Sequence, residues 1–270
     1  MLNNHSSTLR QSLKLAWPIS LQSVLVTMLG MSDIMMVGHL GDTAIASVGL
    51  GNRIQFVVLI ILSGLATGVG VLSAQYFGAG KKGRISPVMI KTLAIGAGVL
   101  LPVVLLTFAF GDLIVGLGTT DQVIINTGKA YLWVTMPSLA FVVVVMVFEN
   151  ALRGLGQVKF SMMLGMIAIV INIALNFWLI NGGLGIDALG VAGAAWATFF
   201  ARAIHASLIV FWLYKRKHVV FPTRPIGNEF YDKAQWTHLI KLVWPMMLSF
   251  GVWSLGTFVY QLIYGRIGTQ

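Results

Sequence analysis

Five polar side chains in otherwise apolar segments are the candidates for chemistry in this sequence, and Asp33 is the first of them. It lies in the stretch Gly30–Gly38, whose other residues are apolar or small. A carboxylate at membrane depth costs at least ~2.5–3.5 kcal/mol on insertion scales, so such a residue is by default a candidate for carrying ions or protons. The alternatives are that neighbouring helices satisfy this carboxylate, or that it lies close enough to the outer interface to be hydrated.

Three later segments offer oxygen atoms at the same depth as Asp33. Asn172 and Asn176 are spaced i, i+4 and therefore share one face of a helix. A rise of ~1.5 Å per residue puts them, Tyr131 and Thr198 at roughly the level of Asp33. Oxygen-rich groups around one carboxylate suit a monovalent cation or a proton. The sequence therefore predicts a cation site; ordinary hydrogen bonding between helices, at ~0.6 kcal/mol per pair, is the alternative.

A hinge and a substrate cavity are predicted from weaker signals. Pro18 lacks a backbone donor and so permits a bend in the first segment. Polar or adaptable side chains at membrane depth are candidates to line a cavity: Gln22, Met36, Gln55 and Arg202. The alternative is a role in packing or, for the arginine, a side chain that extends to the membrane interface. Glu149 and Arg153, at i and i+4, are typical of an ion pair at a helix end.

The composition requires these residues to lie in membrane helices. The chain of 270 residues is 57% hydrophobic and 10% charged, with a mean hydropathy of +0.86, which is outside the range of soluble domains. Apolar segments of ~20 residues or more match the length needed to cross a bilayer as a helix. We predict an all-α polytopic membrane protein with seven spans, at about 14–38, 44–77, 88–116, 122–151, 159–181, 190–214 and 237–264. No Walker or hydrolase signature is present, so we do not expect an enzyme.

The charge pattern predicts the orientation of these spans. The net charge of +10 comes from Lys and Arg that fall mostly in alternate loops, while the opposite loops carry Asp42, Asp121 and Asp187. By the positive-inside rule, the N-terminus lies in the cytoplasm. This topology accounts for the basic residues, so we do not expect nucleic acid as a partner. The absence of Cys excludes disulfides and thiol chemistry.

The two ends of the chain repeat each other. Residues 14–41 align without a gap with 241–268, so that Trp17-Pro18 meets Trp244-Pro245. Because six spans separate the copies, both begin on the same side, which implies two parallel six-helix lobes. We predict an N-terminal lobe over 1–218, an inter-lobe linker over 219–236 and the first helix of a second lobe over 237–270. Five further spans would be expected after Gln270.

Several motifs together resemble the multidrug and toxic compound extrusion (MATE) transporters. The resemblance covers the whole chain in order and rests on these runs: Lys14-Leu15-Ala16-Trp17-Pro18, Ser32 to Gly41, Ala74 to Gly80, Leu152-Arg153-Gly154-Leu155-Gly156 and Leu189 to Thr198. It implies twelve helices in two six-helix lobes around a central cavity. It also implies export of bulky, often cationic compounds, driven by inward flow of sodium ions or protons.

The resemblance carries roles to particular residues. Asp33 matches the acid of the first helix that couples transport to the cation, and Asn172 matches an asparagine of the same pocket. Tyr131 and Thr198 fall at corresponding positions, and Asn176 occupies a position that is aspartate in some members. Asp33 is then the only carboxylate of the site and can hold either Na⁺ or a proton; no other metal or cofactor is expected. The seventh span adds no acid between Phe250 and Tyr260, and Tyr260 is the repeat partner of Asp33.

The expected function is therefore cation-coupled export of drugs or toxic compounds across a bacterial inner membrane. The expected partners are a small-molecule drug, the lipid bilayer and a second lobe, which the same polypeptide or a homodimer would supply. Two alternatives stay open at this point: a lipid-linked glycan flippase of the same superfamily, which would have a more basic cavity, and a half-transporter that does not transport.

Overall fold

The fold is a bundle of α-helices joined by short turns. The computed structural model describes residues 17, 20, 21, 24, 33–183, 185, 187–222 and 228–267, without the side chains of 228, 229 and 261–267; Pro18 and Gln22 lie outside the described residues. Residues 33–37 form the described part of helix α1. The other helices are α2 (Asp42–Gly78), α3 (Ile85–Ala109), α4 (Gly111–Gly116), α5 (Gln122–Thr135), α6 (Leu139–Gly154), α7 (Val158–Asn181), α8 (Gly190–Lys215) and α9 (Lys233–Ile267).

The predicted all-α membrane fold is confirmed. Within the described residues, five helical stretches are long and apolar enough to cross a membrane, and α5 with α6 makes a sixth if the pair is one span. These six agree with the second to seventh predicted spans. The first predicted span lies largely outside the described residues.

The predicted span 122–151 is wrong as one continuous helix. The chain breaks between Thr135 and Leu139, and α5 and α6 meet at 48°. Pro137 lies in this break; it has no backbone N–H, so a regular helical ladder cannot pass through it. The predicted span 88–116 is also interrupted, because α3 ends at Ala109 and α4 begins after Phe110.

The two ends of the bundle differ in charge. We call the end that carries Asp42, Asp121 and Asp187 the outer end, and the end that carries Lys81 and Lys215 the inner end, following the positive-inside rule. Side-chain contacts join neighbouring elements at each end. At the outer end the Lys129 ammonium pairs with the Asp112 carboxylate at 2.7 Å, and at the inner end His218 bonds to Gln157 at 3.0 Å.

Helix α2 is the central element, because α9, α6 and α5 all pack extensively on it. The contact with α9 depends on glycine: a side chain at Gly64 would come within 2.9 Å of the Met246 carbonyl oxygen. A second close contact joins α7 and α8, where Gly193 lies directly against the backbone of Leu179. Small residues at these crossings let the backbones approach, which is the usual means of helix association in membranes.

A buried lysine attaches the start of α9 to α3 at the inner end. Lys91 is fully buried, and its ammonium donates to Gln235 Oε1 at 2.7 Å and to the Asp232 carbonyl oxygen at 3.3 Å. The Asp232 carboxylate in turn accepts from the backbone N–H groups of Ala234 and Gln235, as an N-cap does. These bonds fix where the seventh predicted span joins the preceding lobe.

Apolar packing forms one large core and one small cluster. The large core runs through α2, α3, α5, α6, α8 and α9. The small cluster lies toward the outer end around the buried ring of Tyr131, with Val37, Val48 and Ile180 among its members and Met36 packed beside it. The small cluster holds the end of α1 against α2, α5, α7 and α8, and so positions the side chain of Asp33.

Candidate functional site

The carboxylate of Asp33 is held by an amide of α7. Asn176 Nδ2 donates a hydrogen bond to Asp33 Oδ1 and a second one, at 3.0 Å, to Asn172 Oδ1. Both asparagines are buried, and Asp33 is half-buried. The i, i+4 spacing on α7 therefore lets Asn176 bond to Asp33 and to Asn172 at once, while Asn172 reaches the acid only through Asn176. Within the described residues, no Lys, Arg or His nitrogen lies within 4 Å of this carboxylate.

The amide oxygen of Asn176 has no hydrogen-bond partner among the described residues, although it is buried. Turning the amide over would place this oxygen against Asp33 and remove both bonds, so the hydrogen-bond pattern fixes its orientation. A buried oxygen without a donor carries a desolvation cost that a bound cation would remove. This side of the bundle therefore holds a carboxylate and, on the neighbouring amide, a buried oxygen without a donor.

Tyr131 joins the same region from α5. Its hydroxyl donates to Asn52 Oδ1 on α2 at 3.1 Å, and the phenol also interacts with Gln55 and Thr198. The ring is 2% exposed. Five helices therefore contribute polar groups at one level of the bundle, which we call the outer polar cluster: Asp33, Asn52, Gln55, Tyr131, Asn172, Asn176, Thr198 and Arg202.

Arg202 connects this cluster to the break between α5 and α6. One guanidinium nitrogen donates to Ser138 Oγ at 2.7 Å, to Gln55 Oε1 at 3.0 Å and to the Thr135 carbonyl oxygen at 3.3 Å. That carbonyl is available because Leu139 N–H donates to Met136 instead. The arginine thus satisfies backbone and hydroxyl groups that the bend leaves without regular helical partners. Arg202 also interacts electrostatically with Asp33.

A second charged cluster lies nearer the inner end, between α6 and α8. The Glu149 carboxylate lies 3.7 Å from Arg153 Nη2, at i+4, and 3.7 Å from His205 Nε2. The glutamate side chain is 8% exposed. We call Glu149, Arg153 and His205 the inner charged cluster; it contains the predicted Glu149–Arg153 pair, with a histidine added from α8.

The structure brings most of the predicted site residues together. Asn176 is hydrogen-bonded to both Asp33 and Asn172, and Tyr131 and Thr198 lie beside each other. The role of these five residues in cation binding stays a prediction. Sequence reasoning missed Asn52, a member of the outer polar cluster, and Ser138, which bonds to Arg202. The available signals were a polar residue inside the apolar stretch of α2 and the Pro137-Ser138 pair after Met136.

The predicted cavity residues that the structure describes pack against the small apolar cluster or belong to the outer polar cluster. Gln55 is buried and bonded to Arg202, while Met36 packs against the small apolar cluster. Their role as substrate contacts stays a prediction. A pocket of about 610 Å³ instead opens between α1, α2 and α5 toward the outer end, lined in part by Ile34, Asn52 and Arg53.

Comparisons with known proteins agree with this architecture. The MatE family model matches residues 18–178. The probable multidrug resistance protein NorM of Thermotoga maritima is 29% identical over 264 residues, covering 97% of this chain and 56% of the relative. The multidrug export protein MepA of Staphylococcus aureus is 34% identical over 213 residues, covering 77% of this chain and 45% of the relative.

Solved structures show the same fold. A MOP superfamily transporter from Pyrococcus furiosus, described as having a binding pocket of reverse polarity, superposes with a TM-score of 0.78 at 23% identity, covering 92% of this chain and 54% of that one. An outward-facing multidrug resistance MATE family transporter also gives 0.78, at 22% identity, with 92% and 54% covered. The chain therefore spans about half the length of the relatives it matches. The family model, the relatives and the shared fold together show that this chain is an integral membrane protein of the MATE transporter family.

Proposed function

We propose that this chain forms the N-terminal lobe of a cation-coupled exporter of small compounds, with Asp33 as the coupling group. One observation carries the proposal: a carboxylate inside the bundle is held by a neutral amide whose own oxygen is buried without a partner in the described part of the chain. No basic nitrogen of the described residues lies within 4 Å of this carboxylate, so a cation from outside can bind next to it. The family relatives carry names for multidrug resistance and export, which supports drugs or toxic compounds as the cargo.

The proposed cycle follows from the charge of Asp33. A sodium ion or a proton enters from the outer end and neutralises the carboxylate, with Asn176 Oδ1 able to act as a second ligand for sodium. Neutralisation changes the attraction between Asp33 and its neighbours on α7 and α8. The first helix, of which Pro18 is the proposed hinge, then rearranges and displaces the compound from the cavity.

Asn172 and Tyr131 are proposed to act by positioning. Asn172 accepts one of the two N–H bonds of Asn176 and so leaves the other for Asp33. Tyr131 fills the space below the site and, by bonding to Asn52, connects it to α2. Thr198 offers a further hydroxyl beside Tyr131.

The intact transporter is proposed to need a second six-helix lobe. The relatives are about twice as long as the matched region, so the lobe belongs to the same polypeptide or to a second copy of this chain. The proposed location is a bacterial inner membrane with the N-terminus in the cytoplasm, as the distribution of Lys and Arg predicts.

A second candidate is flipping of a lipid-linked glycan, which a basic cavity would favour. Arg202 does not support it, because the guanidinium is occupied by Gln55, Thr135 and Ser138. Arg53 does favour it, because this cation faces the outer pocket.

The test of the coupling role is Asp33→Asn in the protein as its own cells make it, expressed in an efflux-deficient host. We expect drug efflux to fall to the level of the empty vector, because the amide cannot bind and release a cation, while the amount of protein in the membrane stays the same. Asp187→Asn removes an exposed acid near the same end and is the matched control. Efflux that continues unchanged in Asp33→Asn would rule out the coupling role. Replacing sodium by potassium under imposed pH gradients identifies the ion.

A further inference from the structure

The pocket at the outer end is lined by a single ionisable residue, Arg53, among the residues that the structure describes. The other lining groups are apolar or neutral, with Ile34, Ile45 and Phe56 forming walls and Asn52 and Thr119 adding polar groups. A volume of about 610 Å³ is within the range of sites for drug-sized molecules. The pocket therefore combines apolar walls with one positive charge and no acid.

Arg53 has no hydrogen bond or ion pair with any described residue, and its side chain is exposed. It lies eleven residues after Asp42, the first residue of α2, hence roughly 16 Å along the helix from the outer end. Arginine is rare at such a depth unless it faces a cavity or a counter-charge. Arg202 differs, because its guanidinium makes three hydrogen bonds: the fold provides partners for Arg202 and leaves Arg53 open.

Arg53 lies on α2 close to the contact of this helix with α9. The two helices pack closely at Gly64 and Gly68, and their contact continues to Phe56 and Trp253, whose ring centroids are 6.3 Å apart. Arg53 comes about one turn beyond Phe56 toward the outer end. Arg53 and Phe56, at i and i+3, lie on the same side of α2, so a molecule in the pocket would meet the guanidinium and an aromatic ring side by side.

We propose that Arg53 recognises an anionic group, a carboxylate or a phosphate, on an amphipathic substrate bound in this pocket. The planar guanidinium can donate two parallel hydrogen bonds to either group, and the apolar walls accept the rest of the molecule. This assignment rests on the proposed export function and narrows its substrate class to compounds with an anionic group beside an apolar body. Ile34 lines the pocket directly after Asp33, so substrate and coupling ion act on the same helix.

Two related dyes separate this assignment from simpler roles for Arg53. Fluorescein and rhodamine 123 share the xanthene ring system, but at neutral pH the first is anionic and the second cationic. Binding of each dye to the purified protein is measured by fluorescence polarisation, and efflux of each from cells of an efflux-deficient host. The variants are Arg53→Gln and Arg53→Lys, with Arg216→Gln, an exposed arginine at the inner end, as the control for loss of charge.

We expect Arg53→Gln to weaken fluorescein binding about tenfold or more and to change rhodamine 123 binding by less than about twofold. Arg53→Lys should recover part of the fluorescein affinity, and Arg216→Gln should resemble the unmodified protein. Equal losses for both dyes, unchanged binding of both, or a wild-type protein that binds only rhodamine 123 would each overturn the assignment. An arginine that reaches the outer interface, or that pairs with an acid of a second lobe, gives one of these results.

The same experiment separates the assignment from the proposed function. Fluorescein binding that requires Arg53, together with efflux that Asp33→Asn does not affect, keeps the anion site and rejects cation coupling. Efflux that requires Asp33, with no dependence of either dye on Arg53, keeps the proposed function and rejects the anion site.

Discussion

The outer polar cluster and the inner charged cluster each contain one acid inside the bundle, but the two acids have different kinds of partner. Asp33 is bonded to an amide, and no basic nitrogen lies within 4 Å of it in the described part of the chain. Glu149 has Arg153 and His205 at 3.7 Å. The same helix, α8, supplies a base to each region, Arg202 and His205, three residues apart.

The difference shows what makes an acid available for ion exchange. Glu149 already has a counter-charge from the protein, so a second cation would gain little there. Asp33 accepts from a neutral amide instead. Arg202 could have neutralised this acid directly, but its guanidinium is bonded to the bend between α5 and α6. The proposed coupling role of Asp33 therefore rests on the kind of partner that this acid has and not on burial alone.

Replacing Arg202 by glutamine tests the comparison most strongly, because this residue serves the bend and also acts on Asp33. We expect a lower stability by ~2–3 kcal/mol, since three hydrogen bonds from a charged donor are lost, and loss of export as well. Scanning fluorimetry of the purified protein should show a Tm lower by roughly 5–10 °C. Arg202→Lys, which keeps the charge but not the planar donor, should recover only part of this stability. A full Tm in Arg202→Gln would contradict the role at the bend.

The variant Glu149→Gln asks whether the two acids really differ. We expect its stability to fall by about 1 kcal/mol, because Arg153 loses an anion, with export retained. Asp33→Asn should show the opposite result, with an unchanged or higher Tm and no export. Measuring Tm and drug efflux for both variants checks this reciprocal pattern. Loss of export in Glu149→Gln at normal protein levels would mean that the inner cluster takes part in coupling.

His218, in the loop after α8, provides a smaller test through pH. Its Nδ1 accepts from the Val220 N–H at 3.4 Å, its Nε2 faces Gln157 Oε1 at 3.0 Å, and burial lowers the pKa of this histidine. A lowered pKa means that the unfolded chain binds the proton more readily. Neutral His218 therefore contributes its full stabilisation of the folded protein above the unfolded pKa of about 6.5, and this contribution is lost as the pH falls below that value.

We expect the Tm of the unmodified protein to decrease as the pH is lowered through this window. The decrease should be smaller in His218→Gln, by an amount that corresponds to at most ~1 kcal/mol of stability. The measurement is Tm against pH for both proteins in the same detergent. An identical pH dependence in the two proteins would show that His218 contributes nothing to the inner end.

The sequence was sufficient for the parts of this fold that depend on local pattern. Apolar length predicted six spans that the structure describes. The i, i+4 spacing of Asn172 and Asn176 predicted that they share one face of a helix, and the two side chains are bonded to each other. It did not predict the 48° bend, because hydropathy continues across Pro137 without a change. It also missed Asn52, whose partner Tyr131 lies 79 residues away in the chain.

By itself, then, the sequence determined that this is a helical membrane protein of one family with a costly acid in its first span, because composition, period and motif are properties of the chain alone. Only the tertiary structure decided which charges have partners. Arg53 and Arg202 are both arginines in apolar helices, yet the packing of α8 against the α5–α6 break satisfies Arg202, while Arg53 faces a pocket between α1, α2 and α5. Whether a charge is paired depends on groups that are distant in sequence, and folding alone brings those groups together.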